Sequence, residues 1–178
     1  MSTPPPPTPP ETRDWTFVIE RGCPECGYIP HDPVTTKSRL TAANGRWRNA
    51  LLQPDIHERP SPDVWSPIEY ACHARDMIRL LGERVAAMLD SEDPTFADWD
   101  GDAAAVARSY WAADPRGVSA DLTACTQRTL NVLARIPPAD SAAWARTGHR
   151  GDGVRFTVAS LCQYLVHDVE HHLHDIHG

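Results

Sequence analysis

The last eighteen residues, LCQYLVHDVEHHLHDIHG, hold five of the chain's nine histidines: His167, His171, His172, His174 and His177. On a helical wheel of about 100° per residue, Val158, Leu161, Cys162, Leu165, Val169, Leu173 and Ile176 share one arc, the expected buried stripe. Asp168 and His172 fall at the edge of that arc, four residues apart and stacked on one face. A carboxylate and an imidazole in a core are costly unless paired or bound to a cation. The same i, i+4 spacing lets two ligands on one helix reach one ion. A plain Asp–His hydrogen bond would satisfy the spacing too. His167, His171, His174 and Glu170 fall opposite the stripe and are expected to face solvent.

A third ligand comes from SPIEYACHARDMIRLL. There His73 lies at the boundary of the apolar arc, beside Met77 and Leu80. Alone it reads as a core or boundary histidine. With Asp168 and His172 it completes a set of N/O ligands from two helices, open to water or substrate. Cys23-Pro-Glu-Cys26-Gly has the form of half a zinc ribbon, two thiols across a tight turn, but a full site needs four ligands and no second CxxC exists. His31 or another histidine could contribute. A structural turn with free thiols, a second zinc site at Cys23 and Cys26, and a redox dithiol all remain open.

The elements that must position these residues follow from periodicity and caps. Residues 1–13 read as a disordered proline-rich tail and 14–35 as an irregular arm carrying the cysteines. A first helix runs from Thr36 to Gln53, with Leu40, Ala43, Trp47 and Leu51 on one face. A second opens at Ser66-Pro67 with Glu69 in a capping-box position and runs to about Leu89. A third opens at Asp114-Pro115 and ends at Pro137-Pro138. A shorter helix near Ala103–Trp111 crosses between them. The fourth begins after Thr157 and continues nearly to Gly178. Strand signals are confined to the arm and to Gly148–Phe156, where RGDGVRF marks a turn. The expected fold is all-α, a four-helix bundle over residues 36–178 with an ordered arm.

Composition excludes several classes. A chain of 178 residues suits one domain with a real core. No apolar run is long enough for a membrane span. A net charge of −7 disfavours nucleic acid. The N-terminus lacks the basic and apolar regions of a secretory signal, and five cysteines is an odd count, so free thiols in a reducing cytoplasm are expected. Cys72, Cys125 and Cys162 lie in periodic apolar stretches and read as core. Of 17 basic residues only Lys37 is lysine, a coding bias of GC-rich genomes.

WSPIEYACH at the start of the second helix and DVEHHLHDI in the last resemble the DinB-like family of bundle proteins. That family includes thiol S-transferases and mycothiol-dependent maleylpyruvate isomerases. The resemblance covers residues 36–178 and, residue by residue, implies a metal triad of His73, Asp168 and His172. Many members have histidine where Asp168 stands; isomerase-like members have a carboxylate. A register using His167 and His171 would restore three histidines, but the wheel turns those two away from the core. The resemblance implies zinc or nickel as the ion. It also implies activation of a low-molecular-weight thiol for attack on a small electrophile, the GC-rich background suggesting mycothiol.

Two other readings use the same residues. One is a non-catalytic bundle that binds metal or a small molecule, with an exposed helix face open to homodimer formation. The other is metal-dependent hydrolysis, which needs a nearby general base; Glu69 and Asp76 are expected on the polar side of their helix. Arg146, His149, Arg150 and Arg155 form a basic cluster, either a solvated loop or a hold for an anionic substrate. Trp65, Trp99, Trp111 and Trp144 read as packing anchors, and Tyr70 and Tyr164 could reach a pocket.

Overall fold

The structure, a computed structural model, describes residues 4–137 and 141–177. Four long helices form the bundle: α2 (Thr36–Ala50), α3 (Pro67–Asp90), α5 (Pro115–Leu133) and α7 (Val158–Asp175), with α1 (Val18–Arg21), α4 (Gly101–Ala107) and α6 (Ser141–Ala145) as short accessories. Each long helix after α2 starts at a side chain that satisfies its free amides. Ser66 and Glu69 close a capping box at α3, Asp114 accepts from the Gly117 amide at 2.8 Å, and Thr157 pairs with Ser160 at α7. These caps carry the register forward to His73 and to Asp168.

Leu40, Trp47, Ile78, Leu81, Leu122, Leu133, Leu161 and Leu165 meet in the core. The closest crossing is between α3 and α5. A Cβ on Gly82 would lie 2.5 Å from Thr129 Oγ1, so only glycine fits there. Thr129 uses that proximity to donate to Ile78 O at 2.8 Å.

A small sheet caps one end of the bundle. β1 (Thr95–Phe96) runs parallel to β2 (Thr147–Arg150), and β2 pairs antiparallel with β3 (Arg155–Thr157), Gly148 opposite Phe156. The RGDGVRF turn is thus a hairpin. The extended character expected in the arm is absent: 15–17 form a 3-10 turn that leads into α1. The expected helix near Ala103–Trp111 is split, because Ser109 adopts a left-handed φ of 49° between α4 and a 3-10 turn at 110–112. The first bundle helix stops at Ala50, three residues early, in a run of turns. Residues 1–3 of the proline-rich tail, Pro138 and Gly178 lie outside the described residues. Residues 4–13 have no regular structure, and Pro6 O accepts from Arg59 Nη1 at 2.8 Å. No helix among the described residues is long and apolar enough to cross a membrane.

Candidate functional site

α7 packs on α2 and α3 through its leucine stripe, which turns Asp168 and His172 toward α3. His73, on the second turn of α3, meets them. One ligand atom from each of the three lies within 4.8 Å of the other two. His73 Nε2 is 3.2 Å from Asp168 Oδ1, and His172 Nε2 is 3.9 Å from the same oxygen. His172 Nδ1 lies 2.8 Å from Asp175 Oδ2. A carboxylate on the far ring nitrogen fixes the tautomer and aims Nε2 at the site, as in histidines that bind metal. His73 has no such partner among the described residues: its Nδ1 is buried and unbonded, and the ring is held by packing between Trp65 and Trp99, at 5.4 and 5.5 Å. Gly101 completes that wall, since a Cβ there would stand 3.1 Å from His73 Cε1.

Charge agrees with this geometry. Burial would raise the Asp168 carboxyl, but the facing His73 and His172 outweigh it and hold the group at about 2. Burial disfavours the His172 cation, yet Asp175 and Asp168 reverse that and raise its pKa. Two imidazoles and one ionised carboxylate form a donor set suited to a first-row divalent ion. They open on a cleft of about 880 Å³, which Tyr70, Arg84, Asp102 and Tyr164 also line.

A second cluster lies on the next strip of the same helix. Cys23, Cys26, His167 and His171 also bring one ligand atom each within 4.8 Å of one another. Val18, Cys23 and Tyr28 form a small apolar core of their own, which seats the arm against α7.

A family model, that of the DinB superfamily, matches residues 39–176. The chain belongs to the DinB superfamily. No curated protein matches. Among solved structures, YfiT from Bacillus subtilis is similar at a TM-score of 0.69 and 18% identity, over 81% of this chain and 85% of that one. YfiT is described as "a probable metal-dependent hydrolase with an unusual four-helix bundle topology". The likeness shows that the fold is shared.

On this DinB bundle, the sequence-derived residues are placed unevenly. His73, Asp168 and His172 come together. His167 and His171 do not join His73 and do not face solvent: they are 3% and 8% exposed because the arm covers them. The wheel reads only the packing of helix on helix, so a covering arm is invisible to it. His174 is exposed, as expected, whereas Glu170 is partly buried in an ion pair with Arg39. His31 stays out of both clusters, bonded through Nδ1 to Tyr28 Oη at 2.9 Å and through Nε2 to Thr36 Oγ1 at 3.0 Å.

Glu69 and Asp76 are buried, not on a polar face, each 2% exposed. Glu69 is held by Arg59 and the Ser66 cap, and Asp76 by Arg75, Arg108 and Tyr110, so neither is free to act as a base. Of the basic cluster, Arg146 bonds Met88 O and Ser91 O at the end of α3, His149 and Arg155 sit opposite each other on the hairpin and both face Asp93, and Arg150, paired with Asp152, lines the cleft. Asp175, Asp102 and Arg84 were not legible as site residues. Asp175 alone had a signal, its i+3 spacing from His172.

Proposed function

We propose that this chain is a metal-dependent enzyme acting on a small anionic electrophile in the cleft beside His73, Asp168 and His172. The observation that carries the reading is the convergence of those three donors at an open cleft, with Asp175 aligning one of them. A divalent ion held there would supply Lewis acidity and lower the pKa of a thiol or water at neutral pH. A low-molecular-weight thiol, of which mycothiol is one, remains the first candidate for the nucleophile, with zinc or nickel as the ion.

The chain's own residues define the rest of the site. Trp65 and Trp99 hold the His73 ring and wall off water. Arg84 is a buried cation that makes no ion pair among the described residues; its Nη2 donates to Ala97 O at 3.4 Å, and its guanidinium lies 5.3 Å from the Phe96 ring centroid. Burial, and then the charge of Arg150, lower its pKa, so an incoming carboxylate or phosphate would relieve it.

Hydrolysis is the second reading, favoured by Asp102. This carboxyl lines the cleft next to Gly101, and burial followed by the charge of Asp100 raises its pKa. It would hold or accept a proton at the cleft wall, the task for which Glu69 and Asp76 are unsuited. YfiT's description points the same way.

Metal-loaded protein should be incubated with carboxylate-bearing electrophiles, with and without thiol, and the products weighed by mass spectrometry. A thiol adduct supports transfer, and addition of water without thiol supports hydrolysis. Either activity should vanish in His73→Ala and His172→Ala. Turnover unchanged in both variants overturns the assignment, and a bound ion with no turnover leaves a binding protein.

A further inference from the structure

We infer that Cys23, Cys26, His167 and His171 form a second, tetrahedral Cys2His2 zinc centre that clamps the N-terminal arm onto α7. The first ground is distance. Zinc–sulfur bonds of about 2.3 Å and zinc–nitrogen bonds of about 2.0–2.1 Å set sulfur and nitrogen about 3.6 Å apart across a tetrahedron. Cys23 Sγ and His171 Nδ1 are 3.7 Å apart, and one donor from each of the four residues lies within 4.8 Å of the rest.

The second ground is the turn. Gly27 N donates to Cys23 O at 2.9 Å, and Cys23 N donates to Tyr28 O at 2.9 Å. Gly22 and Gly27, at φ of +70° and +75°, permit the reversal on either side. This is a knuckle that brings both sulfurs to one side.

The third ground is what the site lacks without an ion. His167 Nε2 is buried with no hydrogen-bond partner among the described residues, and Cys23 is 3% exposed. Buried polar atoms left in that state are rare in folded proteins. The far nitrogen of His171, Nε2, looks out toward Asp175 at 3.6 Å and Glu25 at 3.9 Å, the acidic surroundings that orient a ligating imidazole. Trp15 packs against both rings, at 5.6 and 4.9 Å between centroids.

The donor set selects the ion and its role. Two thiolates and two neutral imidazoles cancel the charge of Zn2+, so the loaded centre is neutral and suits burial; loading releases the two thiol protons. Four protein ligands leave no position for substrate, which makes the centre structural. It sits side by side with the open site, since its ligands His167 and His171 precede Asp168 and His172 by one residue each, about 100° round the same helix. Cys23 and Cys26 lie outside the span matched by the family model, and His167 and His171 lie within it.

The test uses the full chain, purified without a tag and loaded with cobalt or zinc. Wild type should bind two ions. The His73→Ala/His172→Ala variant should keep one, with thiolate-to-cobalt charge transfer and intense tetrahedral d–d bands. Its zinc X-ray absorption should show two sulfurs at about 2.3 Å and two nitrogens at about 2.0 Å. Cys23→Ser/Cys26→Ser should lose the charge-transfer band and one ion while keeping the ion at the open site. An unchanged cobalt spectrum in the serine variant overturns the centre. So does wild-type protein isolated with a Cys23–Cys26 disulfide, or one that takes up only a single ion without sulfur in its coordination sphere.

Discussion

Asp175 does its work one bond removed from the open site, and that gives it a distinctive signature. Its carboxylate touches His172 Nδ1, not the space where an ion would sit. In the Cys23→Ser/Cys26→Ser background, where the open site alone binds, Asp175→Asn should weaken metal binding about 10–100-fold, measured by competition with a chromophoric chelator, while the circular dichroism stays unchanged. Arg84 is different, because its cost falls on the free protein. Arg84→Met removes a buried cation and should leave the melting temperature equal or higher. It should raise KM for carboxylate-bearing substrates about tenfold or more, the worth of one charge-assisted hydrogen bond. Neutral substrates should be unaffected, and equal losses for both would dismiss Arg84 as an anion hold.

Among the elements, α3 carries the heaviest load, positioning His73 while burying two acids of its own. Burial alone would raise both carboxyls. Arg59 and the Ser66 cap outweigh it at Glu69, and Arg75 and Tyr110 outweigh it at Asp76, so both pKa values fall below their ordinary 4.5 and 3.8. A lowered folded pKa stabilises above the unfolded value and loses that contribution as pH drops below it. Through these two groups stability should be constant above about pH 5 and fall progressively below pH 4.5, while His31, held down to about 4 by burial, begins to cost stability already as pH drops below its ordinary 6.5. Glu69→Ala should lose about 2–4 kcal/mol at pH 7, from the cap and the stranded Arg59. In urea titrations it should also flatten the acid limb. The helices themselves were legible because Ser66-Pro67, Asp114-Pro115 and Thr157 are local signals. Asp168 and His172 were legible because i, i+4 geometry is local too. Glu69 and Asp76 were misread because their partners, Arg59, Arg108 and Tyr110, are 10 to 34 residues away, and no wheel includes them.

At the scale of the whole molecule, the chain is a bundle with an added cover, and the two should differ in what holds them. The bundle core runs from Leu40 to Leu173, whereas the arm rests on the small cluster of Val18, Cys23 and Tyr28 with Trp15 and Phe17 beside it, on the hydrogen bonds of Tyr28 and His31 to Gln163, and on the clamp. An apolar core that small stabilises little by itself, since conformational entropy costs about 1–2 kcal/mol per ordered residue. Chelating the metal should therefore release the arm and leave the bundle folded. Limited proteolysis would then cut at Arg13 or Arg21 in the chelated protein and spare the loaded one, with helical circular dichroism almost unchanged. Since Arg13, Trp15 and Glu25 also line the cleft, the released arm should leave the open site more accessible to bulky chelators. Cleavage at equal rates in both states would mean that the arm is held by packing alone.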